Sequence, residues 1–255
     1  MKLAVLVVLL AACQSAADDF PPGGNGGGGA GGNGGGGGGG ATDASVADGV
    51  DSDAGPMITG RVCLLTDLRQ IGVAAECADT GAGHWTVSLG SHTAISGDNG
   101  AFSIEAPLGG GFTWHVTAGR IVTSAMPFGA DNTIPVLLAD RYTELLTENQ
   151  ASLSDLQGSI VVRVVRSNQP VPDVVATALS DATMDSLYDA NSAEIWGPNS
   201  TGTRGLAWLP SVTVPTPARQ VPVTLSLLGT VVATTPVTVE NQTVTFVTQE
   251  LPPLP

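Results

Sequence analysis

An unbroken apolar run occupies residues 3–10, behind a single charge at Lys2. Beyond residue 56 apolar positions begin to alternate with polar ones, the period of strands that bury one face. Ile58, Gly60, Val62 and Leu64 alternate first, then Trp85, Val87 and Leu89. Gly97-Asp98-Asn99-Gly100 is a turn signal, because Asn and Gly accept positive φ at little cost. Phe102 and Ile104 follow at strand spacing and stop near Pro107. Phe112, Trp114 and Val116 predict another strand, which turns at Ala118-Gly119 into 121–125. Ile134, Val136 and Leu138 close a first β unit over 57–139.

The period then changes. Tyr142, Leu145, Leu146 and Asn149 are spaced as on one helix face, and Asp140 is placed to cap the helix start. The spacing predicts a short helix over 140–148 inside a linker at 140–157. So short a segment also admits an irregular reading.

Residues 158–250 repeat the first unit in order. Gly158 with Ile160, Val162 and Val164 mirrors Gly60 and its strand. The run from Thr203 through Gly205, Leu206, Ala207, Trp208 and Leu209 to Pro210 mirrors Asp98 to Pro107. Residues 223–227, Gly229 and 231–234 mirror 114–117, Gly119 and 121–124, and 243–247 mirror 133–137. Features recurring in one order mark two copies of a β module. Residues 251–255, with three prolines, should fray. The predicted architecture is all-β: two tandem immunoglobulin- or transthyretin-like sandwiches with a short helix between them.

The N-terminal run is too short to span a bilayer and has the layout of a signal peptide over 1–12. Leu10-Ala11-Ala12-Cys13 resembles the lipobox of bacterial lipoproteins. The resemblance implies cleavage before Cys13 and acylation of that cysteine. Gln14, rather than aspartate, follows it, which by resemblance to Gram-negative sorting rules permits export to the outer membrane, facing either the periplasm or the cell surface. Residues 13–56 then form a tether, since 15 glycines fall within 23–40. Glycine has most backbone entropy to lose and no side chain to bury, so this stretch should stay disordered. As a coil the tether spans roughly 35–40 Å. Asp48, Asp51 and Asp53 do not complete a calcium loop, because Val62 stands where its closing glutamate belongs.

Charge narrows the partners. Lys2 is the only lysine, so the chain after Cys13 sets eight arginines against 23 acids. No basic run exists to neutralise phosphates, which argues against nucleic acid. Anionic headgroups would repel such a chain, leaving acyl groups as the means of membrane attachment. Cys63 and Cys77 make an even pair in a chain held outside the cytoplasm, where disulfides persist. Two buried free thiols are the alternative; no CxxC or histidine pair accompanies them to suggest a metal.

The repeats resemble the carboxypeptidase regulatory-like family, through Gly60-Arg61-Val62 and Gly100-Ala101-Phe102-Ser103-Ile104 in copy one and Gly205-Leu206-Ala207-Trp208-Leu209 in copy two. The likeness covers nearly all of 57–250. Copy two departs most, through a long insertion over 188–200. The resemblance implies a sandwich of about seven strands that accompanies enzymes, receptors or assembly proteins without catalysing a reaction.

No GxSxG, HExxH or CxxC occurs, and His84, His92 and His115 stand apart. No cofactor or metal is expected. Period two places Trp208 opposite the core face of Ala207 and Leu209. It is then covered by the neighbouring module, the favoured reading, or exposed as a platform for sugar or peptide. Trp196 and Tyr188, in or beside the insertion, are the other candidate binding residues; Trp85 and Trp114 read as packing. The expected function is a lipid-anchored, non-catalytic envelope protein that contacts an unidentified envelope protein or polysaccharide. A carboxylate-pair glycoside hydrolase and an accessory subunit of an export or assembly complex are the alternatives.

Overall fold

The computed structural model describes residues 55–72, 77, 82–129, 131–178, 181–189 and 196–253. Cys13, the glycine-rich stretch and residues 190–195 of the insertion lie outside the described residues. The fold is all-β with one short α-helix.

Copy one holds β1 (Met57–Leu65), β2 (Thr86–Leu89), β3 (His92–Ile95), β4 (Ala101–Glu105), β5 (Thr113–Thr117), β6 (Thr123–Pro127) and β7 (Thr133–Leu137). A 3-10 turn over Leu68–Gln70 follows β1, and α1 (Ala139–Glu148) follows β7. Copy two opens with β8 (Gln157–Arg166), β9 (Gln169–Pro170), β10 (Val174–Thr177), β11 (Leu187–Asp189) and β12 (Trp196–Gly197). It closes with β13 (Leu206–Thr213), β14 (Ala218–Leu227), β15 (Thr230–Glu240) and β16 (Thr243–Glu250).

The repetition is topological. In copy one β1 pairs antiparallel with β4 and parallel with β7. In copy two β8 pairs antiparallel with β13 and parallel with β16. The facing sheets correspond too: β2, β5 and β6 are neighbours in that order, as are β10, β14 and β15. Each copy buries a core between its two sheets, Val62, Trp114, Ile134 and their neighbours in one and Ile160, Leu209, Val223 and theirs in the other.

The copies are fused as well as adjacent. β16 pairs parallel with β6, Thr243 to Thr245 lying beside Thr123 to Ala125. One sheet therefore runs β12-β11-β13-β8-β16-β6-β5-β2-β3 through both, and the two copies fall in one compact unit. Pairing β6 with β16 satisfies two edges that would otherwise present free N–H and C=O groups. A third core fills the junction. β1 gives Val62 to the copy-one core and Cys63 and Leu65 to the junction, where Val161, Leu206, Trp208, Val244 and Phe246 of copy two meet them. The helix covers this core with Tyr142, Leu145 and Leu146.

Several expectations need correction in detail. Leu138, not Asp140, is the helix N-cap, and it makes no side-chain cap bond; Asp140 sits in the first turn, where its charge still suits the helix dipole. Leu251 does not fray: it is buried, and its N–H donates to Val165 O at 2.8 Å. The repeat register shifts at both ends. Gly60 lies opposite Phe102, and the residue opposite Ala207 is Val162, four places beyond Gly158. Likewise Arg61 lies beside Thr133 and Arg163 beside Thr248, so Thr248 rather than Thr243 matches Thr133.

That register exposes an exchange of volume. A Cβ on Gly60 would come within 2.3 Å of the Phe102 ring. In copy two the small residue has moved to the partner strand, with Val162 facing Ala207. Phenylalanine over glycine and alanine over valine are two solutions to filling one site. The turn before the strand is unchanged: Gly100 and Gly205 both take positive φ, +81° and +68°. Their backbone approaches Val62 O and Val164 O too closely for any Cβ.

Candidate functional site

The three predicted binding residues are all buried, at 0% exposure for Trp208, 7% for Trp196 and 3% for Tyr188. Trp208 and Trp196 belong to the junction core. Their ring centroids are 5.3 Å apart, and Tyr142 stacks from the helix at 6.2 Å. Trp208 Nε1 donates to Ser159 Oγ at 2.8 Å, and that hydroxyl donates on to Leu209 O at 3.2 Å. Such an acceptor offsets the cost of burying an indole N–H; the buried indoles of Trp114 and Trp196 have none among the described residues. Ser159 carried no motif; its place on the face shared with Val161 follows from period two alone. The Tyr142 hydroxyl lies against the same pair without a well-aligned partner. Burial pushes its pKa up to about 12, with Ser159 and Trp208 pulling weakly the other way.

Tyr188 belongs instead to the copy-two core. Its hydroxyl donates to Ala176 O at 3.0 Å and accepts from Ala176 N at 3.1 Å, pinning β10 to β11. Burial raises this pKa as well. Its neighbour Asp189 is 2% exposed and accepts three backbone N–H bonds, from Gly202, Arg204 and Leu206, each at 2.8 Å. The insertion thus supplies the carboxylate that shapes the turn into β13. In copy one the same turn is held locally, by Ala101 N–H on Asn99 Oδ1 at 3.0 Å. The other two tryptophans, Trp85 and Trp114, are buried in the copy-one core.

The histidines are brought to carboxylates one at a time. His84 Nε2 is 3.3 Å from Asp98, His92 Nδ1 is 3.8 Å from Glu105, and His115 Nε2 is 2.7 Å from Glu240. The last pair joins β5 of one copy to β15 of the other. Among the described residues no group of three potential metal ligands comes together. Cys63 and Cys77 form a disulfide, with Cα atoms 4.9 Å apart. An open groove of about 700 Å³ runs along α1, lined by Ile121, Tyr142, Leu146, Leu153 and Asn241. Among the described residues no helix is long and apolar enough to cross a membrane.

No protein-family model and no curated protein sequence matches this chain. Solved structures that are distantly similar include two Bacillus proteins. The Bacillus anthracis TIE protein aligns at a TM-score of 0.23 and 10% identity, over 76% of this chain and 34% of its own. The gamma-CGTase of alkalophilic Bacillus clarkii aligns at 0.22 and 15%, over 68% of this chain and 24% of its own. The chain thus spans about a third and a quarter of those proteins, and likenesses so faint carry no argument about its activity.

Proposed function

We propose that this chain is a lipid-anchored, non-catalytic protein of the bacterial cell envelope, which holds a rigid β body away from the membrane for contact with an envelope protein or polysaccharide. One observation carries the reading: the two repeats are locked together by the β6–β16 pairing and a shared junction core. They travel as one object behind a cysteine and a glycine-rich run that offers nothing to bury. A rigid β body behind an anchored N-terminus suits presentation better than turnover. The resemblance of the repeats to carboxypeptidase regulatory-like modules, companions more than catalysts, supports the same reading. Burial of Trp208, Trp196 and Tyr188 removes an aromatic platform from it, so contact falls to loops and strand edges.

Expression of the full chain in a Gram-negative host with a clickable palmitate analogue tests the anchor. Label in the outer-membrane fraction, lost on Cys13→Ser, is expected; an unlabelled, released product overturns the proposal. Crosslinking on intact cells then tests presentation, with a discrete partner or polysaccharide adduct as the expected result.

A further inference from the structure

Arg61 and Arg163 hold the same station in the two repeats. Each precedes the valine whose N–H donates to the turn glycine's carbonyl, and each lies beside a threonine of the parallel strand. Arg61 uses its Nε on its own turn, donating to Asn99 O at 3.1 Å. Arg163 has no such outlet. Among the described residues it is the half-buried arginine whose guanidinium meets no hydrogen-bond acceptor or carboxylate of the protein. The other half-buried ones, Arg69, Arg141, Arg166 and Arg219, are all engaged. Five N–H donors fixed at a protein surface without an acceptor mark a place where something else accepts.

The side chain lines a cavity of about 240 Å³ at the junction of the copies. The Cys63–Cys77 disulfide, Met126 and Phe246 form apolar walls, and Asp131 and Thr133 add polar edge. Neither repeat builds this space alone. Gly72 takes φ +80°, and a Cβ there would stand 2.5 Å from Arg163 Nε, so the chain at Gly72 packs flat against the guanidinium. The volume falls below the roughly 300–1,000 Å³ of drug-sized sites, which limits the occupant to a smaller molecule.

We propose that this cavity binds a small monocarboxylate with a short apolar tail, its carboxylate forked against Arg163 and its tail against the disulfide, Met126 and Phe246. A planar guanidinium matches a carboxylate in two parallel bonds. Asp131 lines the same space with one oxygen already accepting Thr133 N–H at 2.8 Å. Its charge disfavours phosphate and dicarboxylates, which would bring a second negative charge beside it. The apolar walls favour a tail over a hydrated ion. This assignment stands apart from the envelope role, and its test reads binding only.

Titrating 3-phenylpropanoate and 4-methylpentanoate into the full chain, by calorimetry and by thermal unfolding, tests it. Saturable binding with a raised Tm is expected, while the matching amides and inorganic phosphate do not bind. Arg163→Gln should weaken binding about tenfold or more, with Arg163→Lys between. Asp131→Asn, at an exposed residue, should tighten carboxylate binding and keeps the test decisive if Arg163→Gln misfolds. Absence of saturable binding in the cooperatively folded chain overturns the proposal. So does equal affinity in a folded Arg163→Gln protein, or no gain with Asp131→Asn.

Discussion

Ser103 and Trp208 occupy one station in two copies of the same strand, yet the serine is exposed and the tryptophan is buried. Their immediate sequences do not explain the difference, since both follow a glycine turn and alternate with core residues. Sheet position does. β4 is an edge strand paired only to β1, and its outer face looks to solvent. β13 is flanked by β8 and β11, and α1 and the 196–197 segment cover its outer face. A repeat thus fixes which residues share a face, while its neighbours decide what that face meets. The two copies differ again in how they are braced: a disulfide ties copy one, and Asp189 and Tyr188 tie copy two.

Substitution at that paired station gives the widest contrast. Trp208→Ala should lose about 4 kcal/mol in chemical denaturation, leaving a cavity and a Ser159 oxygen that has lost its indole donor. Ser103→Ala should stay within roughly 0.5 kcal/mol; similar losses at both would erase the distinction between buried and edge strands.

The bracing comes next. Opening the Cys63–Cys77 loop, 14 residues in sequence, with paired alanines should lower stability by about 3 kcal/mol. Because the copies share a sheet, a single cooperative transition should survive; two separate transitions would mean that the fusion is weak.

Both tyrosines of the chain are buried, one at the junction and one in copy two. Folding favours the neutral phenol of each, so their contribution is complete below about pH 10 and is lost as pH rises further. For Tyr142, raised to about 12, the loss between pH 10 and 12 amounts to about 2–3 kcal/mol. Absorbance titration should show little tyrosinate until the protein unfolds, and Tyr142→Phe should flatten the alkaline slope.

The glycine–phenylalanine exchange supplies the finest test. Gly60→Ala should lose about 2 kcal/mol against the Phe102 ring. Phe102→Ala should cost less in that background than alone, since the added methyl takes up part of the space the ring leaves; the relief is incomplete because Asn132 O also lies 2.6 Å from the new Cβ. Strict additivity of the two changes would show that they do not meet.

Much of the fold was legible in residue order. The strands around Phe102, Trp114 and Ile134, the helix near 140–148 and the turn glycines follow from period and turn chemistry, both local properties. The repeat order was legible, but not its register in the first and last strands. Gly158 matched Gly60 by identity, whereas the structure matches by contact and sets Val162 there. The candidate site was less legible. Alternation put Trp208 off the core face, and only packing showed that Trp196, Tyr142 and Ser159 enclose it.

The sequence by itself determined the class of fold, the duplication, the cysteine pair and the membership of each strand face, because each depends on neighbours a few residues away or on residue chemistry alone. Only the tertiary structure decided that β6 and β16 join the copies and that Tyr188 belongs to the copy-two core. It alone left Arg163 facing a cavity where Arg61 meets its own turn. Those outcomes rest on contacts between segments up to about 120 residues apart, where packing volume and unpaired backbone edges, not local pattern, select the partner.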